Sequence, residues 1–257
     1  MTDKNEIQIS EAQLRSMTDD MNEMHRATFP QLKEALADFG ASLRTKAPSS
    51  RRTFLMGSGV ALGGLALAAC SNTKSSGSAG AASPSATATA GKDNAALATN
   101  ASLENLAVFA YDSALKAAPS GKFGKVPAAV AGFATNAMKQ HAEHAQAFNA
   151  ALTNAGGKAF TAPNPALAAT VTAEFGKLKD VAGLAKLALL LENTAGQTYT
   201  KQMGTLSSPE ALAAVATIAP VEQQHAAILS FVLGMYPVPE TFVKLDLARP
   251  DTDAGVK

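Results

Sequence analysis

Two segments of the chain repeat one spacing of a glutamate, an asparagine and a tyrosine. The pattern Leu-Glu-Asn-x-Ala-x-x-x-Tyr occurs at residues 103–111 and again at residues 191–199, an offset of 88 residues (192 − 104 = 88). The glutamate and tyrosine of the first copy are Glu104 and Tyr111, and those of the second are Glu192 and Tyr199. Positions seven residues apart lie about two turns apart on one face of a helix. Each tyrosine is therefore expected to share a helical face with the glutamate of its own copy.

A second repeat places polar residues three positions apart. His141 and His144 form the first pair, Glu222 and His225 form the second, and the offset is 81 residues (222 − 141 = 81). Residues at i and i+3 lie on one face of a helix, one turn apart. A carboxylate and an imidazole so placed can both reach a metal ion on the axis of a helical bundle. A glutamate from each of the other helices can bridge two such ions.

Each of these residues also has a structural explanation. Glu192 follows an apolar run, where a carboxylate is costly to bury unpaired, so it would instead face solvent at the edge of the apolar stripe. A lone helical histidine is more often a structural residue than a ligand. Tyr111 and Tyr199 either hydrogen-bond the carboxylates or pack in the core with satisfied hydroxyl groups. The matched spacing of the two copies favours metal binding for the glutamates and histidines.

Proline, glycine and capping residues bound the helices that would position these side chains. The predicted segments are 101–118, starting at Asn100 or Ser102, then Pro127 to Ala155, a short helix at 166–177, Asp180 to Leu206, and Ser208 to Gly234. No stretch alternates with period two, so no strand is predicted. The connection 156–180 is long enough to cross a bundle. The predicted fold is all-α, a four-helix bundle of two repeated helical hairpins joined by a long crossover connection.

With these motifs, residues 98–236 resemble the ferritin-like superfamily, close to its exported members. The resemblance implies a ferritin-like bundle that holds two metal ions, with iron expected first and manganese or zinc as alternatives. It implies a ligand set of six residues: Glu104, His141, His144, Glu192, Glu222 and His225.

One position departs from the family pattern, which has a glutamate where this chain has His141. Glu143 lies two residues further on, about 200° around the helix, and is a poor substitute. Three carboxylates and three imidazoles are less anionic than the usual four and two. We expect such a site to stabilise a ferric pair less well, which weakens the preference for iron over manganese or zinc.

The segment before the bundle resembles an export signal. Arg51 and Arg52 are followed by uncharged residues from Thr53 to Ala69, and the segment ends in Leu-Ala-Ala-Cys at Cys70. This pattern resembles a twin-arginine signal followed by a bacterial lipobox, in which the cysteine is acylated. The resemblance implies the twin-arginine translocase as a partner, a lipid anchor on Cys70, and a location on the outer face of the cell membrane. The alternative is a weak transmembrane helix with a chance cysteine.

Composition divides the chain into five parts. These are an N-terminal region (1–50), the signal (51–70), a flexible low-complexity linker (71–97), the bundle (98–236) and a C-terminal tail (237–257). Residues 10–45 are predicted to form an amphipathic helix capped by Ser10. Its apolar residues are Leu14, Met17, Met21, Met24, Leu32, Leu36 and Phe39. His25 belongs to the part that processing at Cys70 would remove, so it is not counted among the ligands.

Charge and composition narrow the function further. A net charge of +1 gives no reason to expect a nucleic-acid partner, and a single cysteine excludes an internal disulfide. The first hypothesis is a redox metalloprotein, in the manner of a di-metal oxidase or ferroxidase, that oxidises iron or handles peroxide or oxygen. The alternatives are a non-catalytic metal-binding protein and a structural or interaction bundle at the cell envelope. The sequence leaves the metal, the substrate and the formation of a homodimer open.

Overall fold

The computed structural model describes residues 7–45, 84–237, 239 and 242–256. Within these ranges all regular structure is helical, as predicted. The helices are α1 (Glu11–Thr45), α2 (Pro84–Ala117), α3 (Ala128–Asn154), α4 (Ala168–Lys177), α5 (Val181–Gln202) and α6 (Pro209–Val232), with a short 3-10 helix at Ala118–Ser120. The signal residues Arg51, Arg52 and Cys70 lie outside the described residues.

Two helical hairpins build the bundle, which confirms the predicted fold class. The most extensive contacts join α2 to α3 and α5 to α6, and the connection that contains α4 links the two hairpins. Local signals explain the helix starts. The Asp180 side chain accepts a hydrogen bond from the Gly183 backbone at 2.6 Å, and the Ser208 hydroxyl accepts one from Ala211 at 3.0 Å.

The first bundle helix begins earlier than predicted. It starts at Pro84 rather than at Asn100 or Ser102, so residues 84–97 of the predicted flexible linker are helical. Alanine-rich sequence favours a helix, and the large apolar side chain of this stretch, Leu97, is buried. The added turns also have a partner, because the buried Asp93 carboxylate accepts hydrogen bonds from the backbone of Ser207 at 3.2 Å and of Ser208 at 2.7 Å.

Helix α1 packs along α3 and α6 as a fifth long helix. Its predicted start is confirmed, since the Ser10 hydroxyl accepts a hydrogen bond from the Gln13 backbone at 3.2 Å. The buried residues of α1 recur every three or four positions, and they are Leu14, Thr18, Met21, His25, Phe29, Leu32 and Leu36. Met24 is 49% exposed and so lies off this stripe, and the side chain of Phe39 lies outside the described part.

Direct hydrogen bonds fix the direction of α1. The Gln8 backbone donates to the Val232 carbonyl at the end of α6, and the Ala129 backbone at the start of α3 donates to the Glu11 carboxylate. Near the other end, the Asn154 side chain donates to the Leu36 carbonyl. Helix α1 therefore runs parallel to α3 and antiparallel to α6.

The predicted tail also packs on the bundle. The Arg249 backbone donates to the Thr198 hydroxyl at 2.9 Å, and the Ala254 backbone donates to the Thr99 hydroxyl at 3.1 Å. Residues 242–256 thus lie against α2 and α5. None of the helices in the described ranges combines the length and the apolar character needed to cross a membrane.

The bundle core has an apolar layer on each side of a polar one. One apolar layer includes Leu97, Phe148 and Ile218, and the other includes Phe133 and Leu229. Between them the repeated glutamates and histidines of the four bundle helices point into the interior.

Candidate metal centre

All six predicted ligands meet in the polar layer. Each is at most 1% exposed, and together they come from all four bundle helices: Glu104 from α2, His141 and His144 from α3, Glu192 from α5, and Glu222 and His225 from α6. Burying this many charged or titratable groups is costly unless they pair or coordinate a metal.

The six residues form two groups, each with four donor atoms within 4.8 Å of one another. The first group is Glu104, His141, His144 and Glu222, and the second is His141, Glu192, Glu222 and His225. His141 and Glu222 belong to both. Carboxylate oxygens and imidazole nitrogens at such separations suit iron, manganese or zinc.

His141 lies between the carboxylates of Glu104 and Glu192. Its Nδ1 is 2.7 Å from Glu104 Oε2, and its Nε2 is 3.2 Å from Glu192 Oε1. Burial favours the neutral ring, but Glu192 and Glu222 outweigh that effect and hold the pKa of His141 well above its usual range. Without a metal, a protonated His141 therefore places a positive charge between two carboxylates.

His144 and His225, which each belong to only one of the two groups, both point Nδ1 toward the carboxylates. His144 Nδ1 lies 2.8 Å from Glu222 Oε1, and His225 Nδ1 lies 3.2 Å from Glu192 Oε2. Burial opposes the charged ring of His144, but Glu222 and Glu104 raise its pKa from 6.5 to about 9. Glu192 likewise outweighs burial at His225 and raises the pKa of that ring.

The carboxylates differ in their electrostatic state. Burial alone would raise the pKa of Glu104, but His144 and His141 lower it to about 2. His141 and His225 similarly hold the pKa of Glu192 well below its usual range, against the effect of burial. Glu222 is the exception, because burial and the nearby Glu104 raise its pKa.

Glu222 also has an acceptor that no hydrogen bond satisfies. Its Oε2 atom is buried and lies 3.3 Å from His225 Nδ1, yet it accepts no hydrogen bond. Buried polar atoms are rarely left unpaired in folded proteins. An unpaired carboxylate oxygen on the glutamate that both four-residue groups share fits a site that holds cations.

The repeated tyrosines bond across the bundle. The Tyr111 hydroxyl of α2 donates to Glu192 Oε1 of α5 at 2.6 Å, and the Tyr199 hydroxyl of α5 donates to Glu104 Oε1 of α2 at 2.6 Å. Burial raises the pKa of both tyrosines well above the usual range, so both remain donors. Each tyrosine thus orients the glutamate of the other copy of the repeat.

Two residues at the site were not predicted from the sequence. Gln140 Oε1 lies 2.8 Å from His225 Nε2, and His25 Nε2 of α1 lies 3.2 Å from His144 Nε2. Burial lowers the pKa of His25 to about 3, so its ring is neutral and can accept a hydrogen bond. The spacing of the α1 stripe carries a signal for His25, since it falls between Met21 and Phe29 on the apolar face.

A cavity of about 350 Å³ reaches the site between α1 and α3. Its wall includes His25 and Gln140, together with the charged residues Arg26, Lys139 and Glu143. The Glu143 side chain is 45% exposed and takes no part in either group of donors. The cavity therefore connects solvent to His25 and Gln140, the residues that contact Nε2 of His144 and of His225.

Comparison with known proteins bears on the same residues. A family model described as a ferritin-like domain matches residues 67–235, a range that contains all six clustered residues and both tyrosines. A search of curated proteins returned no significant match, and a search of solved structures returned none either.

Proposed function

The chain belongs to the ferritin-like domain family, and from this premise we propose that its bundle binds two metal ions and uses them in redox chemistry. The reactions proposed are oxidation of iron(II) and reduction of peroxide or oxygen. The observation that carries the proposal is the pair of buried four-residue groups that share His141 and Glu222.

The charge of the centre supports exchange between protons and metal ions. Three carboxylates face three imidazoles whose pKa values are all raised, so in the metal-free chain protons on the rings balance the glutamates. Metal ligands must be deprotonated, so metal binding releases those protons. The same three carboxylates then neutralise most of the charge that two divalent ions bring.

The protein's own residues would hold and orient the metal ligands. Tyr111 and Tyr199 fix the rotation of Glu192 and Glu104, and Gln140 fixes the ring of His225. Outer hydrogen bonds of this kind set ligand orientation and basicity at metal sites. The six clustered residues would hold the ions, and bound iron would supply the electrons for reducing peroxide or oxygen.

The choice of metal follows from the donor set. Mixed oxygen and nitrogen donors accept iron, manganese and zinc. We place iron first because of the family, and manganese or zinc second because His141 leaves the site one carboxylate short of the family pattern. A non-catalytic metal-binding or structural bundle is the second candidate. The observation in its favour is His141, which already pairs with Glu104 and Glu192 without a metal.

An assay of iron oxidation on the full chain tests this proposal. The chain, loaded with iron(II) under nitrogen, should oxidise it on addition of peroxide, with one peroxide and two protons consumed for every two iron(II) ions and water as the product. The double variant Glu192→Gln, Glu222→Gln should lose this activity. Glu174→Gln is the matched control, because that carboxylate is exposed on α4 and lies outside both groups. Equal rates in the double variant and the control would defeat the proposal.

We also propose that the protein is exported and anchored by a lipid on Cys70, on the outer face of the cell membrane. The support is the sequence pattern from Arg51 and Arg52 to Cys70. Mass spectrometry of the membrane fraction should find an acylated cysteine at the N terminus of the processed chain. Cys70→Ser should abolish that modification, and the arginine pair changed to Lys should block export. An unmodified Cys70 in membrane-purified protein would refute the anchor.

A further inference from the structure

Among the described residues of α1, His25 is the only histidine on the buried stripe. It is 5% exposed in the middle of an otherwise mainly apolar face. Thr18, the other polar residue of the stripe, is satisfied locally by the Leu14 carbonyl at 2.7 Å. His25 has no such local partner, and its Nε2 faces His144 Nε2 at 3.2 Å.

The repeat explains why His144 needs an outside partner. In the other half of the centre, His225 Nε2 is held by Gln140, the residue immediately before His141. The offset of the repeat places Val221 at the matching position (140 + 81 = 221). Valine has no hydrogen-bonding side chain. The bundle therefore supplies an acceptor to His225 and none from the matching position to His144.

We propose that His25 is a positioning residue for the metal centre: α1 supplies the acceptor for His144 Nε2–H that the repeat lacks, and so turns His144 Nδ1 toward the carboxylates. The inference rests on the proposed function, because the purpose of that orientation is to present a ligand nitrogen to a metal ion. It makes α1 part of the support of the metal centre in the unprocessed chain, because α1 lies before Cys70.

The surroundings of His25 hold its ring in place. It stacks on Phe29 with ring centroids 4.6 Å apart and an interplanar angle of 17°. Phe29 in turn lies against His144, with centroids 5.3 Å apart. On the solvent side, His25 Nδ1 is 3.8 Å from Glu143 Oε2. With Nδ1 protonated toward this carboxylate, Nε2 is free to accept from His144. A metal ion held at Nδ1 of a neutral His144 ring would leave the ring proton on Nε2, so the contact would also form with a metal bound.

The test compares three single variants of the full chain. His25→Ala removes the acceptor, and His25→Gln keeps a carbonyl acceptor of the kind that Gln140 offers to His225. Met24→Ala is the matched control, since its side chain is exposed on the same helix. Thermal unfolding identifies which variants fold, and His25→Gln keeps the test decisive if His25→Ala does not.

The first readout needs no metal. Nitrogen-15 NMR of the histidine rings in the metal-free wild-type chain should show the His144 Nε2–H bonded to His25 Nε2, and His25→Ala should lose that signal. The second readout is the affinity for Zn²⁺, used as a spectroscopically silent probe with a competing chelator. His25→Ala should weaken the Zn²⁺ affinity of the site that includes His144 by about 10–100-fold. His25→Gln should restore most of that affinity, and Met24→Ala should match the wild type.

The outcomes separate this inference from the proposed function. If the wild type binds no Zn²⁺, Mn²⁺ or Fe²⁺, the proposed function fails, and the NMR signal alone decides whether His25 orients His144. If the wild type binds metal and His25→Ala binds as well as Met24→Ala, the inference is overturned while the metal centre stands. Equal weakening by His25→Ala and His25→Gln would also overturn it, because packing rather than hydrogen bonding would then be the cause.

Discussion

The two halves of the metal centre contain matching ligands but are supported from different places. In the half with Glu192 and His225, the outer hydrogen bond comes from Gln140 inside the bundle. In the half with Glu104 and His144, it comes from His25 on α1. The repeat therefore specifies which side chains face the axis, whereas the support of each half depends on what packs around it.

Processing during export would affect the two halves differently. Processing at Cys70 would separate α1 from the bundle, because α1 ends at Thr45. The precursor and the processed protein would then differ at His144 and agree at His225. We therefore expect single substitutions to change metal binding in one half more than in the other.

The largest expected effect comes from Glu222, which both halves share. Glu222→Gln should reduce metal content from about two ions per chain to nearly none, because each four-residue group loses a carboxylate. Glu104→Gln touches only the His144 half and should leave about one ion. Elemental analysis of reconstituted full chain measures both. Equal metal content in the two variants would show that the halves are not built as described.

Replacing His141 by glutamate, the residue of the family pattern, should make the stability of the fold depend on bound metal. In metal-free His141→Glu, a fourth buried carboxylate replaces an imidazolium between Glu104 and Glu192. Leaving a buried charge uncompensated typically costs about 3–5 kcal/mol. Urea unfolding should show that loss with chelator present, and added iron(II) should recover it. A variant as stable as the wild type without metal would contradict the assigned charge of His141.

Removing the acceptor that Gln140 provides should affect only one half of the metal centre. Gln140→Leu should weaken the His225 half by about 10–100-fold and leave the His144 half unchanged, the mirror image of a change at His25. Competition titrations with Zn²⁺ on each single variant, and on the double variant Gln140→Leu, His25→Ala, would resolve the two sites. Loss at the same site in both single variants would contradict the separate support.

The smallest effect expected is on the pH dependence of stability. The pKa of His144 is raised from 6.5 to about 9 in the metal-free fold. Its stabilising contribution is therefore complete below pH 6.5 and is lost as the pH rises through 9. Thermal unfolding of metal-free chain should weaken over this window, and His144→Gln should weaken less. Metal affinity should change in the opposite direction, since deprotonated rings bind metal.

Sequence periodicity predicted the fold and the positions of the clustered residues well. The offsets of 88 and 81 residues are carried by side chains on regular helices, so one face brings them together (192 − 104 = 88; 222 − 141 = 81). The crossed bonds of Tyr111 and Tyr199 are consistent with the same periodicity, but which glutamate each would meet depends on helix packing.

The remaining features depend on contacts between distant parts of the chain. His25 reaches His144 only because α1 docks along α3, and no local pattern specifies that docking. The early start of α2 at Pro84 is stabilised by Asp93, which accepts a hydrogen bond from the backbone of Ser208, the cap residue of α6. Small residues such as alanine fit both a linker and a helix, so composition alone favoured the wrong start.

Anomalous X-ray diffraction from crystals of the full chain grown with iron(II) or manganese(II) tests the dinuclear centre most directly. We expect two metal peaks in the polar layer, one among Glu104, His141, His144 and Glu222, and the other among His141, Glu192, Glu222 and His225. A metal-saturated crystal with no peak there, and with His141 still paired to Glu104 and Glu192, would contradict it.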